Sequence, residues 1–334
     1  MSRWCAATSG WWLAADITLT EFVLDRPGEA PFAWDPRSPP ADLRADTLYW
    51  SDAFRELPDG DFTVVLTWSV TELPVEGPDV VAVVLADEAA RRPAYAPRIG
   101  ALFKCYGDRP RLSRPAPGRL GLAVALQEAR RFAEALRDPR AGPPAHPSPL
   151  GLVRPLTVEP RPMAERDIEV AFMGSVEEDH RRLPSAKTIS RNAMLEALPP
   201  GAHVRTTTSF GASLVASPEA YADEVGRTKV LLAPRGGSVE TFRFYEGMLA
   251  GCVVITEPLP PFWFYDGAPA VVVRDWRRLP GLLDRLLGDP AGLERRRAAS
   301  LRWWDERLSP SAVGRYMARC LNSTSVGVRR SASS

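Results

Sequence analysis

The stretch from Lys229 to Glu257 permits few architectures: Lys-Val-Leu-Leu-Ala-Pro-Arg-Gly-Gly-Ser-Val-Glu-Thr-Phe-Arg-Phe-Tyr-Glu-Gly-Met-Leu-Ala-Gly-Cys-Val-Val-Ile-Thr-Glu. The short apolar run over 230–233 predicts a buried strand, and the pattern over 240–250 predicts a helix stopped by Gly251. A second strand is predicted over 252–256. Two strands joined through a helix make a crossover unit, which requires a parallel sheet covered by helices. Gly236 and Gly237 fall where a strand's carboxyl end turns into the helix. Such a loop lets backbone N–H groups approach a pyrophosphate, which the positive end of the helix also attracts. Open α/β sheets bind ligands at this edge.

The rest of the second half alternates in the same way. Strands are predicted over 168–173, 203–207 and 270–273, and helices over 189–198, 217–226, 279–287 and 291–306, with Ser217 as N-cap before Pro218. In the first half, runs rich in β-branched residues predict strands over 62–68 and 80–86. A helix is predicted over 120–136 with Leu122, Leu126, Ala129, Phe132 and Leu136 on its apolar face. Residues 20–60 give no clear order of elements. Between 138 and 161 lie seven of the 33 prolines, a density that predicts a semi-rigid linker without ladder hydrogen bonds. The chain of 334 residues is thus expected to form an α/β domain over 1–148, a second over 149–321, and a disordered tail over 322–334.

Composition removes several classes of function. The net charge is +1, which argues against a nucleic-acid partner. Positive charge is almost all arginine, with lysine only at Lys104, Lys187 and Lys229, so a functional arginine has to be argued from its neighbours. Cys5, Cys105, Cys252 and Cys320 form no C-x-x-C pair and fit a reducing cytoplasm, and His146, His180 and His203 lack ligand spacing. No metal site is therefore expected. Nor is a transmembrane segment, since no apolar run is long enough. The apolar residues around 11–15 after Arg3 have the look of a signal peptide, but Asp16 interrupts them and no clear cleavage site follows, so they read as a buried first strand with tryptophan anchors.

Within the helix predicted over 240–250, Glu240, Arg243 and Glu246 recur every three residues along one stripe. An arginine there can bond phosphate oxygens, and a carboxylate one turn later can accept from ribose hydroxyls. The plain reading is a surface ion-pair ladder, worth about 0.3–0.5 kcal/mol per pair. The surrounding sequence shifts the balance. Pro234-Arg235-Gly236, then Thr241-Phe242-Arg243-x-x-Glu246, then Ala250-Gly251-Cys252-Val253-Val254-Ile255 resembles the signature of exostosin-like glycosyltransferases. The resemblance extends over 149–275 and is fainter before that. It implies the GT-B fold, with two Rossmann-like domains facing each other across a cleft, and a metal-independent transfer from a nucleotide-sugar co-substrate, without a further cofactor, to an acceptor glycan or small molecule. It also implies that Arg243 serves the donor phosphates and Glu246 the ribose, with Arg235, Gly236, Gly237 and Ser238 as the loop over them. Glu240 and Thr241 lie in the same stretch and complete the expected donor-binding set.

Other residues are candidates by position. Gly174 ends the strand predicted over 168–173, and Lys187 and Arg191 bring positive charge to the phosphate side, or are solvated surface residues. Asp87 and Glu88 follow the strand predicted over 80–86 and are the candidate bases, against a reading as helix N-terminal charges. Asp59-Gly60-Asp61 has the form of a metal-binding D-x-D but reads as a turn. The aromatic run over 260–265 either stacks a ligand or packs a loop. A sugar-nucleotide epimerase and a non-catalytic nucleotide- or glycan-binding module are the competing functions. The former needs a carboxylate–histidine set, and the latter lacks a base.

Overall fold

The computed structural model describes residues 20–38, 45–111, 117–152, 156–176, 184–207 and 217–323. The strand expected around 11–15, His180 and the tail from 324 onward lie outside the described residues. The fold is α/β, as expected, and is built on two separate sheets.

The first sheet has six strands: β1 (Glu21–Asp25), β2 (Phe32–Ala33), β3 (Thr63–Thr67), β4 (Gly77–Val84), β5 (Ile99–Lys104) and β6 (Ala145–Pro147). Their order is β2-β1-β3-β4-β5-β6, and all pairings are parallel except β1 with β2. Helix α1 (Ala45–Phe54) links β1 and β2 to β3, and α2 (Gly118–Ala135) links β5 to β6. Val64, Val65, Leu66 and Val80 through Val84 are buried on both faces of the sheet, which explains their continuous apolar run.

The second sheet runs β11-β10-β9-β7-β8 and is parallel throughout. Its strands are β7 (Ile168–Ser175), β8 (His203–Thr207), β9 (Thr228–Ala233), β10 (Val253–Thr256) and β11 (Val271–Val272). Helices α3 (Ala186–Glu196), α4 (Pro218–Gly226), α5 (Phe242–Leu249), α6 (Leu279–Leu287) and α7 (Pro290–Trp303) cover it. Ser217 caps α4 as expected, its hydroxyl accepting from the Ala220 amide at 3.2 Å.

Two local expectations need correction. The proline-rich stretch is not free of ladder bonds, because Ala145, His146 and Pro147 pair with Leu102, Phe103 and Lys104. β6 is an edge strand, where proline's missing donor is tolerated. In α2, Leu122, Leu126, Phe132 and Leu136 are exposed, whereas Leu120, Val124 and Glu128 are buried. The helix turns the second stripe inward because Leu120 and Val124 pack on Ala186 of α3, which brings Gln127 and Arg131 to the same side.

The chain ends by returning to its first half. Helix α8 (Pro310–Ser323) packs along α1, after a single π turn at Trp304–Leu308 whose Leu308 carbonyl accepts from the Tyr49 hydroxyl at 2.5 Å. Ser311 Oγ donates to Glu56 at 2.6 Å. Gly314 sits so close to α1 that a Cβ there would overlap the carbonyl oxygen of Ala53. Backbone cannot yield as a flexible side chain would, so Gly314→Ala should destabilise the protein by about 1–3 kcal/mol. The check is a shift of the denaturant midpoint at unchanged slope; an unshifted midpoint would mean that α8 does not need this approach.

Candidate functional site

Chain order in the second sheet reverses direction between β7 and β9, which makes the crevice beyond their carboxyl ends a topological switch point. Residues 173–175 of β7 and the Pro234–Ser238 segment after β9 form its rim. Arg191, projecting from α3, joins the two. Its Nε donates to the Arg235 carbonyl at 3.0 Å, and its Nη1 donates to the carbonyl and, at 3.2 Å, the hydroxyl of Ser175. The guanidinium is buried, so the reading of Arg191 as a solvated surface residue is wrong. Gly174 lies beside it, with room for a Cβ only against Phe172 and Arg191.

A buried carboxylate supports the glycine loop from below. Glu257, just past β10, accepts from the Arg235 amide at 3.3 Å and from the Ser190 hydroxyl, which in turn accepts from Trp276 Nε1 at 3.0 Å. The Arg235 Nη1 lies 3.8 Å from the other oxygen of Glu257. Its Nε is buried with no hydrogen-bond partner among the described residues.

Arg243 and Glu246 form no surface ladder. Arg243 Nε donates to the Met173 carbonyl at the end of β7, and Nη1 lies 3.1 Å from Glu246, whose side chain is 3% exposed. The Tyr221 hydroxyl of α4 donates to the same carboxylate at 2.6 Å. The pair thus sits inward, at the β7 end of the crevice.

Glu240 does not share their stripe. The backbone is still extended at Thr241, which is the N-cap, and α5 begins only at Phe242. Glu240 therefore precedes the helix and is buried on another side, where Tyr265 hydrogen-bonds to it and its Oε1 has no partner among the described residues. Burial pushes its carboxyl pKa up to about 8, against the opposing pull of Tyr265, Arg111 and Lys104.

The first half supplies the opposite wall. Asp87 and Glu88 follow β4 but have different environments. Asp87, at φ +76°, turns its carboxylate back to the amides of Ala89 at 3.3 Å and Arg91 at 2.6 Å, and lies 3.2 Å from the buried Lys104 ammonium. It is fully engaged as a loop-former, which removes it as a candidate base. Glu88 reaches the glycine loop instead: a Cβ on Gly237 would overlap its Oε2, and the Ser238 amide donates to it. The residue is exposed at the cleft mouth, yet the protein around its carboxyl removes enough water to raise its pKa against Arg131, Lys187 and Arg191. From α2, Gln127 Nε2 and Arg131 Nη2 both donate to the Gly237 carbonyl, at 2.6 and 2.9 Å.

The structure therefore gathers Gly174, Arg191, Arg235, Gly236, Gly237, Ser238 and Glu88 around one loop, with Lys187 close enough to act on Glu88. Arg243 and Glu246 lie beyond Met173, and Glu240 lies to the other side. Gln127, Arg131, Glu257 and Tyr265 were missed. Gln127 and Arg131 become legible once the apolar face of α2 is set on Leu120 and Val124. The aromatic run resolves as packing: Phe262, Phe264 and Tyr265 are buried, and Trp263 stacks on Tyr316 with ring centroids 4.3 Å apart.

No protein-family model and no curated protein matches the sequence. Among solved structures the chain is similar to AviGT4, a glycosyltransferase involved in avilamycin A biosynthesis. Identity is 14%, coverage is 90% of this chain and 96% of that one, and the TM-score is 0.41. It is also similar to a GtfA/B complex at 12% identity, with 84% of this chain and 58% of that chain covered and a TM-score of 0.37.

The Glu240 environment has a measurable consequence. The folded protein keeps this proton up to about pH 8, whereas the unfolded chain releases it near 4.5. Stability from this group is full below 4.5 and is lost as pH rises towards 8, at roughly 1.4 kcal/mol per unit at most. Glu240→Gln, which keeps the neutral form, should gain melting temperature over the wild type as pH rises from 5 to 8, with no further gain above. A difference that stays constant with pH would mean that Glu240 is already ionised at pH 5.

Proposed function

We propose that this protein is a GT-B-type glycosyltransferase, moving a sugar from a nucleotide-diphosphate donor to an acceptor hydroxyl, with a sequence signature like that of the exostosin-like enzymes. One observation carries the reading. Groups that follow strands of the first sheet meet the glycine loop of the second, where Gly237 is bonded by Gln127 and Arg131 and packed against Glu88. A glycine loop at a switch point suits a pyrophosphate, and groups from a second sheet are what an acceptor needs.

Roles follow from chemistry. The leaving diphosphate gains charge in the transition state, and the 236–238 amides, Arg191 and Arg243 are set to stabilise it. Glu246 offers a carboxylate to the ribose. Glu240 presents a neutral carboxylic acid with one unused oxygen, suited to a sugar hydroxyl. Glu88, with a raised pKa and a place on the opposite wall, is the base for the acceptor.

An epimerase is less well supported. His203 does pair with Glu224 at 2.8 Å, but it opens β8 and so lies at the wrong end of the sheet, while His146 lies among Phe103 and Tyr316. A non-catalytic module would not need Glu88 where it is.

Position also supports a metal-independent reading. Asp59 and Asp61 precede β3, at the end of the sheet opposite the glycine loop, and Asp59 pairs with Arg37 at 3.1 Å. Nucleotide-diphosphate release from a panel of nucleotide sugars should therefore be unchanged by EDTA. Activity abolished by chelator and restored by manganese would reject the metal-independent mechanism.

Arg243→Ala should weaken binding of the free nucleotide diphosphate by about 1.5–3 kcal/mol, since it removes a charge-assisted contact. Turnover should fall as well, because the same contact strengthens with leaving-group charge. Glu246→Gln should also weaken the nucleotide while leaving the fold intact. Calorimetric titration decides: normal nucleotide affinity in both variants, with lowered melting temperatures, would make the pair purely structural and sink the donor assignment.

A further inference from the structure

We propose that the Glu88 carboxylate and the donor's pyrophosphate compete for one anion seat, so that donor binding swings Glu88 off the glycine loop and towards the acceptor. The inference rests on the glycosyltransferase reading and adds an order of events to it.

The seat is built from both halves. The Ser238 amide points into it, Gly237 forms its floor, and Arg131, Lys187 and Arg191 give it a positive field. A glycine-loop amide beside cations is an anion receptor whichever anion fills it. Glu88 fills it: its Oε2 lies where a side chain on Gly237 would begin. A diphosphate on the same amide would put two anions in contact, and their repulsion excludes joint occupancy.

The hinge for such an exchange is present. The backbone on either side of Glu88 is fixed, by the Asp87 carboxylate on the Ala89 and Arg91 amides and by Lys104 against Asp87. Only the Glu88 side chain has to change rotamer, and it lies at the exposed mouth of the cleft. Before displacement, its proton-accepting oxygens face the loop. After it, they face the side from which an acceptor enters. Donor binding and the freeing of a base are then one event, which makes the donor the first substrate on.

The competition has a signature opposite to that of an ordinary ligand contact. A residue that bonds the donor weakens binding when removed, whereas an internal competitor strengthens it. Inorganic pyrophosphate is the probe, titrated calorimetrically into the full chain. Glu88→Gln and Glu88→Ala should bind it more tightly than the wild type, by about tenfold for a seat mostly occupied by Glu88. Arg131→Gln should bind it more weakly. Equal or weaker binding by both Glu88 variants, or no pyrophosphate binding by any of these proteins, overturns the proposal. Turnover of nucleotide sugars by the wild type is scored separately. Tighter pyrophosphate binding by the Glu88 variants, without turnover of any nucleotide sugar by the wild type, keeps the anion seat and rejects the transferase. Turnover with unaltered pyrophosphate affinity keeps the transferase and rejects the competition.

Discussion

A single guanidinium holds the crevice together. Arg191 ties the end of β7 to the end of β9 by bonding the Ser175 and Arg235 carbonyls at once. Those are the two strands between which chain order reverses, and their pairing stops at Ala171 and Leu231, short of the residues that Arg191 bridges. A planar fork with fixed donors suits this task, and a lysine would supply one point of charge in its place. The glycine loop, the Glu257 support beneath it and the Arg243 contact on Met173 all depend on that spacing.

The same use of arginine recurs elsewhere. Arg166 bonds the carbonyls of Arg161, Thr228 and Ala250, and Arg92 bonds those of Ala141 and Pro143 together with Asp108. Each bonds several backbone carbonyls at once, and a buried carbonyl left unbonded is costly. An arginine-rich chain thus spends much of its charge on backbone, which is why composition says little about ligands. At the crevice, Arg191 and Arg131 bond carbonyls too, those of Ser175, Arg235 and Gly237, but they also lie close enough to the Glu88 carboxylate to act on it.

Three carboxylates near the cleft show how environment separates one chemistry into three. Asp87 is consumed by amides and Lys104, and shapes the loop. Glu88 is an exposed residue whose carboxyl lies among cations against the glycine loop, where desolvation raises its pKa. Glu240 is sealed against Tyr265 and holds its proton to about pH 8. Asp87 and Glu88 are adjacent just past the carboxyl end of β4, and Glu240 lies in the segment between β9 and α5, so the distinction between the first two comes from neighbours.

By itself the sequence determined the local units: strands whose apolar runs exceed what a loop tolerates, the Ser217 cap, the glycine loop and the helix that follows it. These are decided by side-chain period and backbone permission within a few residues, and they placed Arg235 to Ser238 and Gly174 at strand ends and Arg191 on the helix between β7 and β8. Tertiary structure alone decided which face of α2 turns inward, since Leu120–Val124 and Leu122–Leu126 have the same period and only α3 breaks the tie. It decided that α8 returns to α1, that Glu240 leaves the helix, and that Glu88 rather than Asp87 reaches Gly237. Each of these is a contact between residues tens to hundreds of positions apart, and such contacts are selected by packing and charge in three dimensions, where chain spacing has no influence.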